Sequence, residues 1–213
     1  MKLFARGALV AIAFAALSTP VTAQDITPAS DGPARHGFYI GLGLAGASFK
    51  ADCDGCDANV DPATGFGSHI KLGGTLSPKF RLGADIFGVQ TSEGIFEQLS
   101  GGGPTSKEGA GHLMLALTFY PSGSGNLWLQ GGIGGVAYYA DVKNDQRYVA
   151  RGGGAMLGLG YDFRVGTNGS ITPYLSWTGS SGGKLYDANA DEVTPAGDWS
   201  TAFVAFGVDY IFH

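Results

Sequence analysis

The chain has 213 residues, 13 Lys+Arg against 18 Asp+Glu and a net charge of −5, with 37 glycines and 12% aromatics beside an ordinary proline content. That acidic balance argues against nucleic acid as a partner, because phosphate binding needs basic surface. The missing G-X-Y repeat and the abundant aromatics exclude a collagen-like or disordered chain.

Lys2 and Arg6 open the sequence, the apolar run Ala8 to Leu17 follows, and Val21-Thr22-Ala23 precedes Gln24. This is the order of a secretory signal peptide over residues 1–23, with cleavage expected after Ala23. Ten apolar residues fall short of the roughly 20 that a spanning helix needs. Removing residues 1–23 takes Lys2 and Arg6 with it, leaving 11 Lys+Arg against 18 Asp+Glu and a net charge of −7. The longest later apolar run, Leu113 to Tyr120, is broken by Thr118. Any membrane segment must therefore be built from strands.

Residues 24–35 read as a polar, proline-containing periplasmic leader, and residues 36–213 as one β-domain. Strand one, at 37–50, sets Phe38, Ile40, Leu42 and Leu44 opposite Tyr39, Gly41, Gly43 and Ala45. Gly41 to Gly46 also satisfies G-x-G-x-x-G, but the dinucleotide fingerprint needs a strand before it and a helix after it. A polar leader and an acidic loop flank it instead. In that loop, residues 51–62, Cys53 and Cys56 are the only cysteines. A small local disulfide is the expectation for an exported protein. A redox pair would need a βαβ context, and two cysteines without nearby histidine make a poor zinc site. Asp52, Asp54, Asp57 and Asp61 lack calcium-loop spacing, so the loop reads as a solvated acidic surface.

Strand two, at 65–77, directs Phe66, Ile70, Leu72 and Leu76 one way and His69, Lys71 and Thr75 the other. After a turn at Ser77-Pro78-Lys79, strand three, at 80–90, places Arg81, Gly83 and Asp85 on the inner face. That hairpin makes Lys71 and Asp85 cross-strand neighbours, a charge pair able to fix register. Strand four, at 109–120, turns His112, Met114, Ala116 and Thr118 inward, and strand five, at 127–140, turns Gln130, Gly132 and Gly134 inward. Strand six, at 148–164, carries Gly158, Gly160, Asp162 and Arg164 inside, with Arg151 outside near a loop. Strand seven, at 170–179, exposes Ile171, Leu175 and Trp177. The last strand, Trp199 to Phe212, alternates most cleanly: Ala202, Val204, Phe206, Val208, Tyr210 and Phe212 share one face, with Ala205, Gly207 and Asp209 between them.

Unpaired backbone is too costly in hydrocarbon for an open sheet, so a strand that spans a membrane implies a closed barrel. The expected fold is all-β: an eight-stranded, antiparallel, up-and-down transmembrane β-barrel. Longer connections near 51–64, 91–108, 141–147 and 180–198 alternate with short turns near 77–80, 121–126 and 164–169. Long loops face outward and short turns face the periplasm in such barrels, which puts both termini in the periplasm of a bacterial outer membrane. A soluble ligand-binding barrel would reverse the faces, and the inner set read here, Gly, Ala, Ser, Thr and charges, suits no large apolar ligand.

With its signal peptide, its Phe38-Tyr39-Ile40-Gly41 opening and its Gly207-Val208-Asp209-Tyr210-Ile211-Phe212 close, the chain resembles the eight-stranded outer-membrane barrel family. That family includes the OmpA transmembrane domain, OmpX and opacity-like surface antigens, and is known as porin-family barrels. The resemblance implies that Tyr210 and Phe212 form the signal read by the outer-membrane insertion machinery. Family members finish on the aromatic residue, whereas His213 follows Phe212 here.

Function is expected to be non-enzymatic, with no cofactor. Partners are outer-membrane lipid and lipopolysaccharide, the insertion machinery, and an extracellular ligand for the acidic loops. A lipid A deacylase of the kind the resemblance brings in needs an outward Ser and His two residues apart. His69 and His112 point inward, and Ser68 lies on the opposite face from His69. His69, Lys71, Arg81, Asp85, His112, Asp162, Arg164 and Asp209 are read as a lumen polar network. They either line a small pore or pair and fill an interior just wide enough for side chains, and pairing is favoured because unpaired buried charge is costly.

Overall fold

The computed structural model describes residues 37–54, 61–91, 95–96, 105–142, 146–187, 191 and 198–213. Among them the strands are β1 Phe38–Cys53, β2 Ala63–Ser77, β3 Phe80–Thr91, β4 Thr105–Phe119, β5 Leu127–Val142, β6 Gln146–Tyr161, β7 Phe163–Val165, β8 Gly169–Tyr186 and β9 Trp199–Phe212. The ladder runs β6-β5-β4-β3-β2-β1-β9-β8 and closes through β6–β8, every pair antiparallel. Eight strands thus form a ring with no free edge. β7 is a three-residue extension paired only with β8.

The strand expected at 148–164 is therefore two. Its interruption falls at Asp162, whose backbone N–H donates to the Asn126 carbonyl (2.9 Å) just past the last β5–β6 pair, Leu127 with Tyr161; beyond it Phe163–Val165 pair with β8 alone. Several other strands outrun their expected ends. β4 begins at Thr105 and β8 continues to Tyr186, because their pairing with the neighbouring strands runs on to Thr105–Val142 and Val149–Tyr186. β8 carries one extra residue near position 182: Gly153 opposes Ser181, yet Arg151 opposes Lys184. Such a bulge reverses which side chains face out. Beyond it Leu185 is buried and Lys184 exposed.

The apolar stripes are on the outside. Leu44, Phe66, Leu113, Leu115, Ile133, Leu157, Phe206 and their neighbours are solvent-accessible, with Phe66 87% exposed. A continuous surface of this kind is far larger than a water-soluble protein tolerates, and it matches the lipid-facing band of a membrane barrel. At the end with the short turns, aromatics form contacting outward pairs: Phe80 with Phe119 (5.1 Å between ring centroids), Tyr161 with Phe163 (4.7 Å) and Tyr210 with Phe212 (4.6 Å). These are the residues of an interfacial girdle, where an amphipathic or flat ring sits best.

Candidate functional site

The inward side chains stack in three layers along the axis. In the middle layer, Asp85 is wholly buried and collects three donors. His69 Nε2 lies 2.9 Å and His112 Nε2 2.8 Å from its Oδ1, and Gln130 Nε2 donates to its Oδ2 at 3.2 Å. His69 Nδ1 is in turn 3.0 Å from Asp209 Oδ1. Ionised carboxylates only accept hydrogen bonds. With both aspartates ionised, each nitrogen of His69 must donate, so this ring holds both protons and a positive charge. His112 donates to Asp85 through Nε2, and its Nδ1 lies 3.0 Å from the Thr178 hydroxyl, a group able to donate or accept. Lys71 Nζ stands 3.2 Å from Asp209 Oδ2, in ion-pair range though not aligned as a hydrogen bond, and lies over the rings of Trp128 (4.4 Å) and Tyr174 (5.0 Å). Two cations, Lys71 and His69, then face two anions, Asp85 and Asp209.

Toward the short turns lies a second polar layer. Arg81 Nη1 donates to the Tyr120 hydroxyl and Nη2 to His213 Nδ1, both at 2.9 Å. The Tyr120 hydroxyl in turn donates to Asp162 Oδ2 (2.9 Å), while Trp128 Nε1 and the Thr172 hydroxyl donate to Asp162 Oδ1 (3.0 Å each). His213 Nε2, left with the proton, donates to Ser170 Oγ at 2.8 Å. The residue after Phe212 is thus engaged at the barrel mouth. Trp128 touches both layers, so one chain of contacts runs from His112 to His213.

Strand parity fixes most of these positions. Lys71 does stand opposite Asp85 in the β2–β3 register, but its ion-pair partner is Asp209 across the lumen. Arg164 departs from the expected set: it is exposed, because β7 projects past the ring and has no interior to face. Cys53 sits half-buried at the end of β1, and Cys56 lies outside the described residues. Among the described residues no group of three His, Cys, Asp or Glu side chains could hold a metal.

The third layer, toward the long connections, corrects the reading of the interior as small and charged. Phe49, Phe87, Val89, Tyr138, Trp199 and Phe203 are all buried there, with Phe87 stacked on Phe203 (5.5 Å) and Tyr138 on Trp199 (6.0 Å). Ile95 and Phe96, from the connection between β3 and β4, are buried against this layer. Glu108 holds them: its carboxylate accepts the Ile95 N–H (2.9 Å), the Phe96 N–H (3.0 Å) and the Tyr138 hydroxyl (2.8 Å). Above it, on the outside, Arg147 grips Asp141 with Nε at 2.6 Å and Nη2 at 3.0 Å, and this pairing holds the Asp141 carboxyl below the usual carboxylate range. Phe49, Phe87 and Tyr138 occupy inward positions by simple alternation and were discoverable from sequence. Glu108 was not, since it looked like the last residue of a polar loop.

Charge inside a closed ring and aliphatic side chains outside reverse the arrangement of a soluble barrel. The chain is a transmembrane β-barrel. No protein-family model matches it, and no curated protein does. Solved structures similar to it include bacterial surface and outer-membrane proteins. Neisserial surface protein A is 14% identical, with a TM-score of 0.49, over 81% of this chain and 95% of that one. Ail of Yersinia pestis is 13% identical, with a TM-score of 0.48, over 83% and 99% respectively. OprG of Pseudomonas aeruginosa is 15% identical, with a TM-score of 0.47, over 86% and 99%.

Proposed function

We propose that the protein is a non-enzymatic barrel of the bacterial outer membrane whose interior is closed to solutes and whose long connections present a surface for binding. The observation that carries this reading is the interior of mutually paired polar groups, in which Asp85, His69, Asp209, Arg81 and Asp162 are all nearly inaccessible to solvent. A conducting lumen would need these groups hydrated, whereas here their partners are one another. The aromatic layer and the docked Ile95 and Phe96 add a second obstruction at the loop end. Tyr210 and Phe212, exposed at the end of β9, fit a role in recognition by the insertion machinery. In the same reading the signal peptide over residues 1–23, a Cys53–Cys56 staple and periplasmic termini complete an exported surface protein.

Planar-bilayer recording tests the closed interior. The expected trace stays at baseline for the wild type, and steady single-channel openings that change on Lys71 or Asp85 substitution would establish a water path through the polar layer instead.

A further inference from the structure

Asp85 and Asp209, buried in the middle layer, have His69 and Lys71 as counter-charges. Glu108 is as deeply buried, yet among the described residues no cation pairs with it, and Lys107, beside it in the chain, faces outward. Its carboxylate is held by neutral donors alone, the Ile95 and Phe96 amides and the Tyr138 hydroxyl. Burying an anion without a cation is costly, and neutral hydrogen bonds offset only part of that cost. A second deficit lies close by. Trp199 Nε1 is buried and, among the described residues, donates to nothing, although its ring stacks on Tyr138 and on Phe96 (6.3 Å).

Two of the three donors to Glu108 belong to a segment that is separable from the ring. Ile95 and Phe96 are in none of the ring strands, so withdrawing them breaks no rung of the ladder. They would leave behind a place for a flat ring, since Phe96 stacks on Tyr148 (4.9 Å, 21°) as well as on Trp199, with the Glu108 carboxylate beside it. Aromatic faces next to a carboxylate favour an organic cation, which neutralises the acid and lies against the rings. An amine without a ring would leave the stacking surfaces of Tyr148 and Trp199 uncovered. We infer that this aromatic cup binds a small aromatic primary amine bearing an oxygen acceptor. Its ring takes the place of Phe96, its ammonium pairs with Glu108, and its oxygen accepts from Trp199 Nε1. Ile95 and Phe96 are the resident stand-in, displaced when the amine binds. Asp54 and Asp198, joined by a backbone hydrogen bond (2.9 Å) next to Trp199, add negative charge that draws cations to this end. The inference rests on the reading of the long connections as a binding surface, and it leaves the polar layers beneath the cup shut.

The test uses the full barrel in detergent micelles with phenylalaninamide as probe and N-acetylphenylalaninamide, which keeps the ring and the carbonyl but not the charge, as its comparison. Calorimetric titration is expected to show saturable binding of phenylalaninamide and binding of the acetylated amide weaker by about tenfold or more, the scale of a lost charge-assisted hydrogen bond. Hydrogen exchange at the Ile95 and Phe96 amides should speed when the amine is bound. F96A, which empties the place without touching a ring strand, should bind about tenfold tighter, because a cup freed of its stand-in is competent in a larger fraction of molecules. With the stand-in already weakened, F96A/E108Q removes the counter-charge and should lose about tenfold or more relative to F96A. No saturable binding, equal affinity for the acetylated amide, unchanged exchange at residues 95 and 96, no tightening in F96A, or equal affinity of F96A and F96A/E108Q overturns the inference. Tighter binding of a peptide with an amino-terminal phenylalanine would assign the cup to a protein terminus and overturn it too. A barrel that conducts in planar bilayers yet binds the amine defeats the closed-interior reading alone, whereas a silent barrel that does not bind it defeats this inference alone.

Discussion

Gly43 lies opposite both His69 on β2 and Asp209 on β9, so it occupies the point where the middle polar layer meets the barrel wall. A Cβ there would run into the Asp209 carboxylate, the Val208 carbonyl at 2.6 Å and the Asp209 Cα at 2.9 Å. Backbone cannot step aside as a side-chain tip can, so the carboxylate that anchors His69 and Lys71 would be displaced. Gly46, on the outward face of the same strand, has nothing within 4 Å of its would-be Cβ. Gly43→Ala is therefore expected to destabilise the barrel by about 1–3 kcal/mol, as overpacking does, and Gly46→Ala by less than about 0.5 kcal/mol. Urea unfolding in detergent micelles measures both, and equal midpoints for the two variants would contradict the proposed dependence of the layer on this glycine. Glycine abundance in this chain is thus partly a matter of room: inward glycines admit the long polar side chains of the facing strands.

At the scale of elements, the connection between β3 and β4 is the part with a separable job. Its Ile95 and Phe96 amides depend on the Glu108 carboxylate, and Tyr138 supplies the third donor. Glu108→Gln keeps size but replaces one acceptor oxygen with a donor, so at least one of those donors loses its partner. Hydrogen bonds to a charged group contribute about 1.5–3 kcal/mol each. The expected outcome is that hydrogen exchange at residues 95 and 96 speeds by about tenfold or more while the ring strands stay protected, and unchanged exchange at both amides would show that Glu108 does not hold the segment. The same region marks where sequence reasoning stopped. Strand alternation gave the ring, its order and nearly all inward charges, because a period of two with one greasy face leaves little freedom. It did not give the break at Asp162 or the bulge in β8, since both depend on hydrogen bonds and pairings with other strands. Nor did it pair Lys71 with Asp209, for contacts across a lumen join residues far apart in the chain, whereas register pairs only neighbours.

For the whole molecule, the two ends of the cylinder differ in a way that fixes its orientation under the outer-membrane reading. One end gathers short turns, the Phe80–Phe119, Tyr161–Phe163 and Tyr210–Phe212 girdle pairs, and the first and last strands, whose Ile40 and Phe212 are register partners. The other end carries Cys53, Thr91, Thr105, Tyr186 and Trp199, the strand ends that the longer connections join, together with the Glu108-bound Ile95 and Phe96. Outer-membrane barrels carry short turns on the periplasmic side and longer loops outside, so the proposed orientation leaves both termini in the periplasm. Proteinase K added to intact cells is accordingly expected to cut within 92–104 or 188–197 and to spare the turns at 77–80 and 121–126 until the outer membrane is opened. Mass spectrometry of the released peptides reads the positions directly. Cuts confined to the two short turns in intact cells would invert the molecule and overturn the orientation proposed for it.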